Sequence, residues 1–193
     1  MREEILAYKR ERIIEEAVKL FYQRGFTGTT LDDIAAELGV TKPFIYTHFR
    51  SKEDLCAQAI CTALDAMADR YRAIIAERGG DALTYIVEEY LSGDHVHDVR
   101  GGCPLAALGS DMARASPKTK EAYETRIERL VGALADGFDA GPKKDRRARA
   151  RSLFSTMLGA LTLSRAMSDA DEVDEFLSQV RANLLRELAP SAD

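Results

Sequence analysis

An all-α protein of about nine helices is predicted by three features of the 193-residue chain. Apolar residues recur at i, i+3, i+4 and i+7 through almost every segment, the spacing that lays them along one stripe of a helix. Glycine and proline punctuate the segments, at Gly25, Gly39, Gly79-Gly80, Pro104, Pro117 and Gly141-Pro142, where helices start or stop. No stretch alternates apolar and polar residues with comparable strength, and no internal repeat is visible, so no strand is expected.

Residues 1–8 have little to order them and are expected to fray, with a basic arm as one use for them. The first helix falls at about Lys9–Arg24, with Ile14, Ala17, Val18 and Phe21 on its buried stripe and Gly25 able to close its end. In the second, Leu31, Ile34, Ala35 and Leu38 share one face. Thr30 stands before it with Asp33 three residues on, a cap for the orphan amides of the first turn. Gly39 can take the left-handed conformation that ends a helix, and Val40 plugs the corner. Thr41 can cap the third helix, Pro43 suits a first-turn position, and Ile45 and Phe49 are inward-facing i, i+4 partners. Two short helices joined by a glycine turn make a helix-turn-helix, whose second member offers its outer face to the DNA major groove. That face carries Thr41, Lys42, Pro43, Phe44, Tyr46, Thr47 and His48. Lys42 can reach a guanine edge, Pro43 or Phe44 can pack on a thymine methyl, and Thr41 or Thr47 can bond base or phosphate. The plainer alternative is a solvated helix with Tyr46 half in the core.

One unbroken helix is predicted from Lys52 to about Arg78, with Ile60, Ala63, Leu64, Met67, Tyr71 and Ile74 in phase; at 1.5 Å per residue it spans about 40 Å. A fifth helix covers Leu83 to Leu91, and Ser92–Gly102 reads as a polar loop. The sixth runs from Pro104 to about Arg114, the seventh from Lys118 to Phe138, the eighth from about Arg146 to Met167 and the ninth from about Val173 to Leu188. The eighth, with Leu153, Phe154, Met157, Leu158, Leu161 and Leu163, is apolar on more than one face, more than packing within one small lobe requires.

The residues Gly25-Phe26-x-x-Thr29-Thr30, Ile34-Ala35, Gly39-Val40-Thr41, Ile45-Tyr46-x-His48-Phe49 and Lys52-Glu53-x-Leu55 resemble the DNA-binding domain of TetR-type transcriptional repressors. The resemblance covers roughly the first quarter of the chain and departs at Pro43, where many members have glycine. It implies a DNA-binding domain at residues 1–51 and a ligand-binding and dimerisation domain at 52–193. It also implies that Tyr46, His48 and Lys52 grip phosphates, so that the DNA-facing set is Thr30, Thr41, Lys42, Pro43, Phe44, Tyr46, Thr47, His48 and Lys52. The implied partners are a double-stranded palindromic operator, a second copy of the chain paired through the eighth and ninth helices, and a small-molecule effector. Met67, Tyr71, Tyr90, Cys103, Met112, Tyr123, Phe154 and Met157 are candidates to line an effector cavity, although each also suits plain core.

Some TetR-type regulators carry a cysteine at a place comparable to Cys103, which stands in Gly101-Gly102-Cys103-Pro104 before the sixth helix. A helix N-terminus favours thiolate, so a redox or electrophile sensor competes there with a small buried apolar residue. Cys56 and Cys61 fit the core, and three cysteines without a framework spacing exclude a disulfide scaffold. Asp94-His95-Val96-His97-Asp98 has metal-ligand chemistry but no strong signature, and a polar loop explains it as well, so no metal is expected. Net charge is −5, yet residues 1–52 hold nine Lys or Arg against eight Asp or Glu, leaving eighteen against twenty-four in the remainder. The acid therefore sits away from the reading head. The run Lys143-Lys144-Asp145-Arg146-Arg147-x-Arg149-x-Arg151 invites a second nucleic-acid reading or a solvated first turn, although cations at a helix N-terminus are slightly unfavourable. Neither a Ser-His-Asp order, a metalloprotease pattern nor a phosphate loop appears, so catalysis and a cofactor are not expected. A helical protein-interaction module without DNA binding is the remaining alternative. With no membrane-length apolar run and no leader pattern, a cytoplasmic protein is expected.

Overall fold

The computed structural model describes residues 2–138 and 141–189, with side chains from Lys9 onward. Among these residues the chain is helical and carries no strand. The helices are α1 (Arg2–Arg24), α2 (Leu31–Leu38), α3 (Lys42–Tyr46), α4 (Lys52–Arg78), α5 (Ala82–Tyr90), α6 (Gly93–His97), α7 (Pro104–Met112), α8 (Pro117–Ala135), α9 (Lys143–Ser164) and α10 (Ala170–Leu188), with a 3-10 turn at Gly79–Asp81. The nine helices expected from the spacing are present, and α9 and α10 are the eighth and ninth of that reading. Three local expectations are corrected. The first helix begins at Arg2, because Glu, Leu, Ala, Lys and Arg are strong helix formers and the run contains no breaker. The third ends at Tyr46. The polar loop 92–102 contains the single turn α6, nucleated where Ser92 accepts a hydrogen bond from the His95 amide at 3.2 Å.

The chain packs as two units, Met1–Leu64 with Arg100–Arg126, and Asp65–Val99 with Ile127–Asp193. In the first, α1 packs on α2 and α7, and α2 on α3. Ile13, Ala17, Leu20 and Phe21 of α1 bury against an interior that also holds Ile34, Ile45, Phe49, Leu55 and Ile60. Ile13 and Leu20 take the place expected of Val18, which is half-buried. Fully burying each such side chain is worth about 1.5–3 kcal/mol. The first half of α4 belongs to this unit because Leu55, Cys56, Ala59, Ile60 and Leu64 have no exposed surface at all.

In the second unit α10 packs on α5 and α9, and α5 on α9. Leu83, Ile86, Val87 and Leu91 meet Leu153, Met157, Leu161, Leu177 and Leu184 in its interior. Arg165 holds α6 in place by donating to the carbonyls of Val96 at 3.1 Å and His95 at 3.0 Å. His95 directs Nδ1 at the Tyr90 carbonyl, 2.6 Å away, and its ring meets the Tyr90 ring edge-on at 4.7 Å.

Burial holds the His95 pKa below the ordinary value, and the Arg165 charge lowers it further, against the raising effect of the bond to Tyr90 and of Asp98 and Glu89. A folded-state pKa below the unfolded value gives stability that is present above about pH 6.5 and lost as pH falls through the depressed value, since the unfolded chain takes up the proton first. Thermal unfolding between pH 7.5 and 5 is expected to show a decline that is smaller in His95→Gln. An identical decline in the variant would refute this assignment.

Candidate nucleic-acid interface

Local chemistry builds the helix-turn-helix in the first unit. Thr30 sits in the extended region at φ −108° and ψ 162°, and its hydroxyl oxygen accepts from the Asp33 amide at 3.1 Å. Asp33 returns the contact by accepting from the Thr30 amide at 2.8 Å, so a complete capping box starts α2. Hydrogen bonds from the Thr30 side chain and amide hold the Asp33 carboxyl below its usual pKa. At the other end Gly39 adopts φ +64°, and its amide with that of Val40 satisfies the carbonyls of Ala35 and Ala36. Any Cβ there would meet open space but would be strained by the left-handed backbone.

Pro43 lies in the first turn of α3, as the spacing requires. Thr41 occupies the cap position at φ −101° and ψ 152° without a side-chain cap bond, so its hydroxyl is not spent on the helix. Ile45 is fully buried and Phe49 nearly so, and the chain reaches Phe49 through a turn in which the amides of His48 and Phe49 both bond the Ile45 carbonyl at 3.0 Å. Thr47 donates its hydroxyl to the Phe44 carbonyl at 2.7 Å, which closes the helix. Anchoring Ile45 and Phe49 turns Tyr46 outward, where it keeps 52% of its surface exposed. Thr41, Pro43 and Thr47 are exposed beside it, and Lys42, Phe44 and His48 are half-exposed.

Several side chains of this region have roles that helical spacing did not announce. Lys9 lies 5.5 Å above the Phe44 ring and Arg10 5.2 Å above that of Phe49, so α1 brings two cations to the α3 aromatics. Phe44 in turn meets His48 edge-on at 5.1 Å. Burial lowers the His48 pKa, and Lys9 and Arg10 lower it further, which favours the uncharged imidazole. Lys52, read from the resemblance as a phosphate grip, donates to the carbonyls of Phe26 at 2.9 Å and Thr29 at 3.1 Å and lies 4.2 Å over the Phe26 ring. It ties the α1–α2 loop to α4. Thr29, wholly buried, donates to the Gly25 carbonyl at 2.9 Å and also contacts that of Leu20 at 3.2 Å. Gly28 is required beside it, since a Cβ would come within 2.3 Å of the Arg24 carbonyl oxygen.

Lys42, the expected base reader, pairs with Asp32 at 2.8 Å, and that hydrogen bond raises its pKa. The pair lies at the surface, where solvent screens it, so it opens readily. Asp32→Asn is expected to tighten DNA binding by up to about fivefold and to steepen its salt dependence, because a phosphate-repelling carboxylate is lost and a cation is released. Fluorescence anisotropy over a salt series measures this, and weaker binding by the variant would show that Asp32 positions Lys42 rather than restraining it.

The effector-cavity residues divide between the units. Cys103, Met112 and Tyr123 lie in the first, and Met67, Tyr71, Tyr90, Phe154 and Met157 in the second, where the rings of Tyr90 and Phe154 meet edge-on at 6.1 Å. Cys103 occupies the position just before α7, makes no side-chain cap bond and has no exposed surface. Burial raises the phenol pKa of Tyr22, and pushes that of Tyr123 up to about 12, with the nearby Cys103 adding to both. Burial likewise pushes the Cys56 thiol up to about 12. Among the described residues no three His, Cys, Asp or Glu side chains are placed to hold a metal. His95 and His97 instead direct Nδ1 at the carbonyls of Tyr90 and Gly93.

Residues 13–59 match the family model for bacterial regulatory proteins of the tetR family. A helix-turn-helix-type transcriptional regulator of Mycobacterium tuberculosis is 29% identical over 189 residues, covering 93% of this chain and 95% of its own length. Residues 13–59 thus carry a TetR-type DNA-binding domain. The relatives it matches are named as helix-turn-helix-type transcriptional regulators. The TetR-type domain also relates it to IcaR of Staphylococcus aureus, the negative transcriptional regulator of the biofilm operon icaADBC, at 39% identity over 56 residues, 29% of this chain and 30% of that one. The TetR fold extends along the whole chain: the reduced form of NemR from Escherichia coli superposes with a TM-score of 0.80 at 21% identity, over 95% of this chain and 98% of that one. Among the described residues no helix is long and apolar enough to cross a membrane.

Proposed function

We propose that this chain is a TetR-type dimeric repressor that reads a palindromic operator through α3 and is released by a small-molecule effector. In this reading residues 1–51 bind DNA, while 52–193 bind the effector and dimerise. The observation that carries it is the outer face of α3: Tyr46 stands out of the fold while Ile45 and Phe49 are buried, and Thr41, Pro43 and Thr47 flank it with exposed polar or compact side chains. Lys9 and Arg10 add cations from α1, and phosphate contacts need such charges.

Dimerisation through α9 and α10 is supported by what α9 leaves uncovered. Leu163 keeps 59% of its surface exposed, and Ser155, Thr162 and Ala166 are exposed near it. A Cβ on Gly159 would meet nothing, so a second helix can approach that stripe closely. Phe176, Val180 and Leu188 of α10 are half-buried and gain from a partner's cover. Two copies related by a two-fold axis suit half-sites about 34–36 Å apart.

Release requires the effector to favour a state in which the recognition helices miss that spacing. A link inside the first unit suits the purpose: the Phe26 amide donates to Asp111 of α7 at 3.4 Å, and Glu53 of α4 accepts from the Ser116 amide at 3.1 Å ahead of α8. Movement of α7 or of the start of α8 is thereby passed to both ends of the reading head. A coupling of about 1–3 kcal/mol weakens operator binding roughly 5- to 150-fold.

Anisotropy on a duplex from upstream of the protein's own gene, against a scrambled duplex and over a salt series, tests the reading. Preference for the upstream duplex that weakens with salt supports it. No binding to either duplex at low salt would leave an interaction module in its place.

A further inference from the structure

We propose that a basic cleft in the second unit binds a phosphate-type oxyanion carrying two or more negative charges. The cleft, about 220 Å³ in volume, is walled by Arg72 of α4, by Glu128, Arg129 and Asp136 in and just beyond α8, and by Lys143, Arg146 and Arg147 of α9. Gly132 and Ala135 make its floor, and a Cβ on Gly132 would press within 3.2 Å of the Arg147 guanidinium. Five cations thus face two carboxylates across a space smaller than the roughly 300–1,000 Å³ of drug-sized sites.

The local ion pairs do not use up this charge. Glu128 is shared by Arg147 and Arg151, Arg129 pairs with Asp65 and Asp69, and Arg72 pairs with Asp69 at 3.1 Å. Counting Arg151, Asp65 and Asp69 with the wall leaves six cations against four carboxylates, a surplus of two. One unit of it lies with Arg147 and Arg151, which share Glu128, and the other with Lys143 and Arg146, which make no ion pair among the described residues and have only Asp136 beside them in the wall. Arg146 is half-buried, its Nη1 meets only the carbonyls of Ala135 and Phe138 at 3.5 Å each, and its buried Nε has no acceptor. A half-buried guanidinium so poorly matched is costly, and a bound anion compensates it. The same anion removes the difficulty of a Lys-Lys-x-Arg-Arg run at the start of a 22-residue helix, because the helix dipole and the side chains then act on one negative charge instead of opposing each other.

Inorganic pyrophosphate is the probe, titrated calorimetrically into the intact protein at constant ionic strength. Saturable binding at one site per chain is expected, weakened at least about tenfold in Lys143→Gln and in Arg146→Gln and unaltered in Lys118→Gln, an exposed cation outside the cleft. Should Arg146→Gln fail to fold, the exposed Lys143 carries the comparison alone. Absence of saturable binding, or equal affinity in the cleft variants, would overturn the proposal. Cleft variants that lose duplex DNA affinity while keeping pyrophosphate affinity would overturn it too, assigning the basic run to the operator.

Discussion

Tyr46→Ala is expected to weaken operator binding by about 1–3 kcal/mol, roughly 5- to 150-fold, without altering thermal unfolding. The two halves of that expectation rest on one fact, the 52% exposure of the side chain. A residue so exposed contributes little packing, and surface substitutions of this kind change stability by no more than about 0.5 kcal/mol. In the proposed reading it contributes an amphipathic surface at the tip of α3, with a ring for sugar or methyl contact and a hydroxyl for phosphate. Tyr46→Phe separates these, retaining the ring and losing only the hydroxyl contact. The readout is anisotropy on the operator duplex beside a thermal melt. Full affinity in Tyr46→Ala would remove α3 from the interface.

Phe49→Ala has the opposite signature: about 3–5 kcal/mol of stability lost. Phe49 is 2% exposed, is buried like Ile45 and Phe21 of the same unit, and lies beneath the Arg10 guanidinium. Truncation removes the buried ring and leaves a cavity that α1, α2 and α4 cannot all close upon. Against a typical stability of about 5–15 kcal/mol, such a loss is a large share of what holds the fold together. Circular dichroism is expected to show a markedly lowered unfolding midpoint, with operator binding failing at the same temperature. Phe49→Leu is expected to recover most of both. A midpoint equal to that of the parent protein would mean that Phe49 is not a keystone of the unit.

The contrast between these neighbours shows which features of the chain are legible as a string of residues. The i, i+3, i+4 and i+7 stripes, Thr30 with Asp33, Gly39 and Pro43 are signals carried by neighbours within about four positions, and they define α2, the turn and the inward direction of Ile45 and Phe49 without reference to the rest of the molecule. The outward face of α3 follows by elimination, because a residue between two buried positions on a five-residue helix has one direction left. The family resemblance lies in the same short-range signals, which is why it covers only the first quarter of the chain.

Other features depend on distance in space between residues far apart in sequence. Lys52 meeting the carbonyls of Phe26 and Thr29, Lys9 over Phe44 and Asp32 holding Lys42 involve separations of 10 to 35 residues and exist only once the four helices α1 to α4 have packed. No periodicity encodes them, since a cation's partner is chosen by whichever carbonyl, ring or carboxylate the fold places within reach. The same holds for the basic run 143–151: its composition was visible, but only packing against α8 distributed Glu128 among two of its arginines and left Arg146 without a carboxylate. Local chemistry alone determined the helices and the helix-turn-helix of this protein. Tertiary structure decided which of its charges are spent and which are left to act, because the free energy of a charge is set by what surrounds it and not by its place in the chain.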